Sequence, residues 1–280
     1  MTEKNAVNGS TLYLVATPIG NLADISARAR KVLTEVDIIA CEDTRVTGKL
    51  LAALALPTKT LVSYHEHNKF SAGERILREL RDGHSVALCS DAGTPAISDP
   101  GEELVRLCRS HGFSVTAIPG ACAAIIALTL SGFSTRSFVF EGFLGDDAQK
   151  KAQRLASEER TIVLYEAPHR LERTLTILAQ ELGAGRRVAL CRELTKLNEE
   201  VEITTIGEAL SALSAKTARG EYVIVIEGAT PTEGESFWAA MTVAEHVEFY
   251  TRQGVSRMDA IKLAARDRGL PKNAVYKEFL

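Results

Sequence analysis

A chain of 280 residues, 45% hydrophobic and 25% charged, has the make-up of an ordinary globular protein, long for one domain and comfortable for two. Its longest apolar run, residues 121–130, falls far short of the roughly 20 residues needed to span a bilayer. The net charge of −3 exerts no global pull toward nucleic acid, and five cysteines without a C-x-x-C pair read as reduced core residues of a cytoplasmic protein.

Residues 1–10 are polar, lack a signal-peptide core and read as a loose tail. A β-type run at 11–16 ends in a turn at 17–21, and 24–34 has helical spacing with Asp24 as its cap. Residues 36–41 read as a strand and 44–54 as a helix. Runs at 61–63, 86–89 and 114–118 continue an alternation that implies a mostly parallel sheet with helices on both faces. The apolar run 121–130 is too long for a strand and reads as a buried helix. After a polar break at 134–136, strands at 138–140, 161–165, 188–191 and 222–226 begin a second α/β series. A turn-rich break at 230–235 precedes two or three short helices. The expected organisation is a tail (1–10), two α/β domains (11–133 and 134–230) and a helical module (236–280).

The most informative segment is 90–101 (SDAGTPAISDPG), which follows the 86–89 strand and precedes a helix at 102–111. Small residues, two prolines and two carboxylates make a rigid loop with exposed backbone. The carboxyl end of a parallel strand is where open α/β sheets bind ligands. A similar loop, 118–124, follows the next strand, and the two together favour one small-molecule pocket over two ordinary turns. His65 and His67, two apart with no third ligand nearby, have poor zinc spacing, so no metal is expected.

Residues 251–280 hold seven Lys/Arg against three acids, a net +4 that leaves −7 for the rest. Met258, Ile261, Lys262 and Ala265 recur at helical spacing, Gly269 closes that helix, and Val275 and Phe279 give the next one its apolar face. This helix–turn–helix-like module suits phosphate docking, or a plain solvated helix face.

Seven motifs in order carry a resemblance: 17–22 (TPIGNL), 41–45 (CEDTR), 90–101, 118–120 (IPG), 165–170 (YEAPHR), 192–196 (RELTK) and 220–228 (GEYVIVIEG). The set resembles the tetrapyrrole-methylase superfamily of S-adenosylmethionine-dependent methyltransferases, most closely its branch acting on small-subunit ribosomal RNA, over residues 11–280. The resemblance implies two α/β domains with the cofactor in a cleft between them. It also implies a homodimer, and 2′-O-methylation of a cytidine ribose in the decoding region of 16S ribosomal RNA. Residues 17–22 lack the G-x-G-x-x-G spacing that wraps a pyrophosphate, in keeping with a cofactor that has no phosphate.

The resemblance puts Pro18, Asp91, Gly93, Pro95, Ala96, Ile97, Ser98, Gly120, Ala121 and Cys122 on the first-domain side of the cofactor. Tyr165, Leu194, Glu227 and Gly228 would close the pocket from the second domain. Gly93, Gly120 and Ala121 permit close backbone approach; Pro95, Ile97 and Leu194 supply apolar wall. A hydroxyl nucleophile must lose its proton, and Glu42 and Asp43, with Arg45 beside them, are the catalytic candidates; for Asp43 and Arg45 a helix-capping pair is an equal reading. RNA contacts are expected from His169, Arg170, Arg257, Lys262, Arg266 and Lys272. The rival readings are a tetrapyrrole C-methyltransferase and a non-catalytic ribosome-binding factor.

Overall fold

The computed structural model describes residues 6–213, 220–230, 238 and 240–279. They divide into two compact units, Met1–Gly228 and Ala229–Leu280.

The first unit opens with β1 (Thr11–Val15), α1 (Ala27–Glu35), β2 (Ile38–Cys41), α2 (Thr44–Ala53), β3 (Thr60–Ser63), α3 (Lys69–Arg81), β4 (Val86–Cys89), α4 (Gly101–Ser110) and β5 (Ser114–Ile118). These five strands form one sheet of order β3-β2-β4-β1-β5, every pairing parallel. Strand side chains alternate between faces, so runs such as Ile38-Ile39-Ala40-Cys41 and Val86-Ala87-Leu88-Cys89 must be covered on both sides. Leu12, Ile38, Ala40, Val86 and Leu88 pack on Ile76, Leu77, Leu80 and Leu104 of α3 and α4. Tyr13, Val15, Ile39, Ala87 and Cys89 pack on Val32, Leu33 and Leu51 of α1 and α2.

Next come α5 (Ala123–Leu130), β6 (Phe138–Phe143), α6 (Ala148–Leu155), β7 (Thr161–Glu166), α7 (Leu171–Leu182), β8 (Arg187–Arg192), β9 (Glu200–Thr205), α8 (Ile206–Leu213) and β10 (Tyr222–Ile226). The second sheet, β6-β7-β10-β8-β9, is not the parallel one that strand–helix alternation suggests. Only β6 and β7 are parallel; the β7–β10, β10–β8 and β8–β9 pairings are antiparallel. The edge strand β9, Glu200-Val201-Glu202-Ile203-Thr204-Thr205, escapes the sequence reading because its composition is too polar to stand out. One face of this sheet carries α6, α7 and α8. The other receives α5, whose Ala124, Ala127 and Leu128 pack with Val163, Ala189, Val223 and Val225. The helix following the first sheet thus lies on the second. It is buried on one side only, Ile125 and Leu130 being exposed.

Other local expectations shift. Ser26, not Asp24, caps α1 by accepting from the Ala29 N–H, because extended Ile25 (ψ 126°) bars the helix from starting earlier. Residues 6–10 are held rather than loose: Ser10 donates to the Gly83 and His84 carbonyls, and the Asn8 N–H to the Tyr13 hydroxyl. Residues 1–5 of the expected tail, 231–235 of the expected break and the Phe279 side chain lie outside the described residues. All five cysteines are free, four buried and Cys122 half-buried.

The second unit holds α9 (Val243–Arg252), α10 (Arg257–Asp267) and α11 (Lys272–Phe279) around Val243, Val247, Ala260, Ile261, Ala264, Ala265 and Val275. Met258 and Lys262 of the sequence-derived stripe instead face solvent. Gly269, at φ 61°, ends α10 and leads into α11.

Candidate active site

The carboxyl ends of β2, β4 and β5 and the loop after β1 open onto a cleft of about 540 Å³, closed opposite by the ends of β6 and β7 and the start of β10. The first wall is built by the 90–101 loop. Thr17 and Gly93 exchange two backbone hydrogen bonds (2.9 and 3.1 Å), and the Thr94 hydroxyl donates to the Ala121 carbonyl. The Asp99 carboxylate accepts from the Ala96 and Gly101 N–H groups at 2.7–3.0 Å. Partial burial raises the Asp99 pKa, against the pull of those donors. Gly93, Ala96 and Ser98 all have left-handed backbone (φ 83°, 67° and 61°). For Ala96 and Ser98 that costs roughly 1–2 kcal/mol each, strain of the kind found at ligand sites. The result thrusts Ile97 into the cleft.

Of the catalytic candidates, only Glu42 lines the cleft. Its side chain opens to solvent at the mouth, yet partial burial and then the charges of Asp91 and Asp99 raise its pKa. Asp43 is spent elsewhere: it caps α2 through the Arg45 N–H (2.8 Å) and chelates the Arg45 guanidinium at 2.6–3.2 Å. That pairing holds its pKa at about 2. Arg45 is 85% exposed and, like Asp43, outside the lining. Asp91 joins the two segments, accepting the Asp43 N–H at 3.1 Å.

Asp91, Gly93, Ile97, Ser98, Cys122 and Tyr165 line the cleft as expected from the motifs. Pro18, Ala96, Gly120, Ala121 and Leu194 are not among its lining residues. A Cβ on Gly120 would come within 2.7 Å of the Ala16 Cβ, so this glycine serves the packing of β1 against β5. Leu194 is buried with Ile19 and Val223, which do line the cleft. Pro95 lies in a narrow crevice with Glu42, Tyr64 and Asp99. Glu227 and Gly228 fall away entirely. Antiparallel β10 presents its first residues, Tyr222 and Val223, to the cleft, and roughly 3.3 Å per residue puts its far end about 13 Å off. There Gly228 abuts the Glu159 carbonyl.

The second wall is aromatic. The Tyr165 hydroxyl accepts from the Ala124 N–H at the start of α5 (3.2 Å), and burial pushes its pKa to about 12. Phe140 and Phe143 pack against its ring at 5.1 and 5.6 Å. Glu166, absent from the sequence-derived set although it sits inside the YEAPHR motif, is buried at the cleft edge. It accepts from the Thr174 hydroxyl (2.6 Å) and the Ala167 N–H (2.9 Å), which fixes the turn bearing His169. His169 lines the cleft; Arg170 is exposed beside it. Phe143 and Asp99 were also missed. Asp99 belongs to the 90–101 loop, while Phe143 is signalled only by the glycine before it. Among the described residues no group of three or more metal-ligating side chains converges.

In the second unit Arg257, Lys262, Arg266 and Lys272 are all exposed, Lys262 paired with Asp259 at 2.8 Å. Arg268 of the same basic segment turns inward, donating to the Trp238 and Thr242 carbonyls and to His246 Nδ1 (3.1 Å each). His246 is fully buried and stacked on Trp238, and burial lowers its pKa.

The model of the Tetrapyrrole (Corrin/Porphyrin) Methylases matches residues 11–210. The chain is 48% identical over 276 residues to the ribosomal RNA small subunit methyltransferase I of Halalkalibacterium halodurans, covering 96% of this chain and 94% of the relative. The protein of that name from Bacillus subtilis is 46% identical over 274 residues, covering 96% and 93%. Among solved structures, cobalt precorrin-4 methyltransferase, a cobalamin biosynthetic enzyme, superposes with a TM-score of 0.60 at 16% identity, covering 81% of this chain and 98% of that one. Uroporphyrin-III C-methyltransferase from Thermus thermophilus, complexed with S-adenyl homocysteine, gives 0.56 at 18% identity, covering 78% and 92%. The chain belongs to the tetrapyrrole methylase family, in its ribosomal RNA small subunit methyltransferase I branch.

Proposed function

We propose that this protein transfers a methyl group from S-adenosylmethionine to the 2′-hydroxyl of a cytidine ribose in the decoding region of 16S ribosomal RNA, as a cytoplasmic homodimer. The observation that carries the cofactor is the charge of the first wall. Glu42, Asp91 and Asp99 line it without a cation among them, as a ligand bearing a sulfonium and an ammonium requires. The volume of about 540 Å³ lies within the range of small-molecule sites, roughly 300–1,000 Å³. The left-handed backbone at Gly93 and Ser98 shapes the loop that lines the cleft, and Ile97 and Tyr165 offer apolar surface. These residues fit the cofactor, which when bound supplies an electrophilic methyl group.

Glu42 is the residue suited to take the proton of an incoming ribose hydroxyl at a carboxylate oxygen, since its raised pKa moves it toward the working pH. Asp91 braces it by gripping the next peptide. Holding the hydroxyl oxygen against a fixed wall supplies much of the acceleration in such a displacement. His169 and Arg170, and in the second unit Arg257, Lys262, Arg266 and Lys272, are the proposed phosphate contacts.

The test is methyl transfer from radiolabelled S-adenosylmethionine to 30S subunits from cells lacking this protein, mapped by nuclease digestion and mass spectrometry. Label on a single cytidine ribose is expected. Cofactor binding without label on RNA would refute the reading and turn attention to tetrapyrrole substrates.

A further inference from the structure

Strand β6 reads Phe138-Val139-Phe140-Glu141-Gly142-Phe143. In a regular strand Phe140 and Phe143, three apart, would point to opposite faces. Here Phe140 pairs with Val163 and Gly142 with the very next residue, Leu164, so Glu141 is an extra residue in a bulge. Gly142 takes φ 67°, and the bulge resets the parity. Phe143 then falls opposite Tyr165, and both phenylalanines pack on that ring. Bulges in parallel pairs are rare and mark re-aimed side chains. This one aims Phe143 into the cleft, where it is 47% exposed although one side is anchored.

Unlike the opposite wall, the surroundings of Phe143 include cations. Lys151 Nζ donates to the Phe143 carbonyl at 2.9 Å. Lys151 and Arg154 share one carboxylate, Glu141, at 3.9 and 3.7 Å, and Arg154 is 67% exposed, with Asp146 and Asp147 in the turn between Phe143 and Lys151. An exposed, rigidly backed aromatic ring flanked by cations is the pairing that holds single-stranded nucleic acid: the ring stacks a base and the cations track the backbone.

We propose that Phe143 is the stacking seat for the base of the nucleotide being methylated, with Lys151 and Arg154 contacting the adjoining phosphate. This rests on the ribosomal RNA reading above. The competing role for Phe143 is a wall for the adenine of the cofactor, and binding data separate the two.

The experiment compares wild-type protein with Phe143→Ala, Phe143→Tyr and the double variant Lys151→Gln/Arg154→Gln. Each is assayed for KM toward unmethylated 30S subunits and, by calorimetry without RNA, for the Kd of S-adenosylmethionine. Phe143→Ala is expected to raise KM by about 5- to 150-fold, the range for one lost base–aromatic stack. Its cofactor Kd should stay within about twofold, a value that also reports a folded cleft, and Phe143→Tyr should recover most of the loss. The double variant should weaken subunit binding and flatten its salt dependence. An unchanged KM in Phe143→Ala, or a cofactor Kd raised by the same factor as KM, would overturn the seat. Failure of the wild-type protein to methylate the subunits would instead overturn the functional reading, and the seat with it.

Discussion

Gly142→Ala tests whether the bulge of β6 sets the shape of the cleft. Two costs follow from the structure. At φ 67° an alanine sits in the left-handed region, worth roughly 1–2 kcal/mol. Its Cβ would also lie 2.7 Å from Ser98 Oγ, the end of an exposed side chain that can swing aside, so this contact costs at most about 1 kcal/mol. The variant should therefore lose about 1–3 kcal/mol of stability. If the 90–101 loop is what yields, cofactor affinity falls as well. Ser98→Gly removes the obstructing side chain and relaxes its own φ of 61°. The double-mutant cycle therefore isolates the steric part as a coupling of at most about 1 kcal/mol, leaving only the backbone part at position 142. Urea denaturation gives the stabilities and calorimetry the Kd for S-adenosylmethionine. Additivity of the two changes within about 0.5 kcal/mol, together with unchanged cofactor affinity in Gly142→Ala, would refute contact between bulge and loop as the determinant of the first wall.

Thr174→Val keeps the side-chain shape but deletes the 2.6 Å bond to buried Glu166; a loss of about 1.5–3 kcal/mol is expected in denaturant melts, with weaker RNA binding as the His169 turn loosens. Glu42→Gln should abolish most turnover yet raise the melting temperature at pH 7–8. A carboxyl whose folded pKa is raised contributes stability that is lost as pH climbs through that pKa, and glutamine escapes the loss. Asp43→Asn should do the opposite, keeping turnover while lowering stability above about pH 4, because the native carboxylate has its pKa depressed to about 2 by Arg45. In the second unit a lowered folded pKa for His246 means stability that is complete above the usual histidine value of 6.5 and declines as pH falls below it. Emission from Trp238, the one tryptophan of the chain, should report that acid transition; a flat signal between pH 7 and 5 would count against it.

Several residues lining the cleft were legible from sequence because the motifs that hold them are local. Asp91, Gly93, Ile97, Ser98, Cys122 and Tyr165 lie in motifs that carry the family resemblance, and for the 90–101 and 118–124 loops composition already points to exposed backbone at a carboxyl end. Asp43 and Arg45 belong to the same kind of motif, but a sequence cannot distinguish a carboxylate held by the helix it starts from one open to a cleft. Glu166 was passed over because its role depends on Thr174, eight residues on and one turn into α7.

By itself the sequence determined the first sheet, the order of its strand-end loops and the family. A parallel β-α-β succession has one dominant way to fold, and the four-residue apolar runs at Ile38–Cys41 and Val86–Cys89 demand burial on both faces. Tertiary structure alone decided the antiparallel half of the second sheet, and with it which end of β10 meets the cleft. The same tract of apolar residues fits either direction, and only pairing with β7 and β8 selects one. It also decided the face of Phe143, since one extra residue in β6 reverses every later side chain and is visible only against the register of β7. Both outcomes are set by pairings between distant segments, which local composition does not encode.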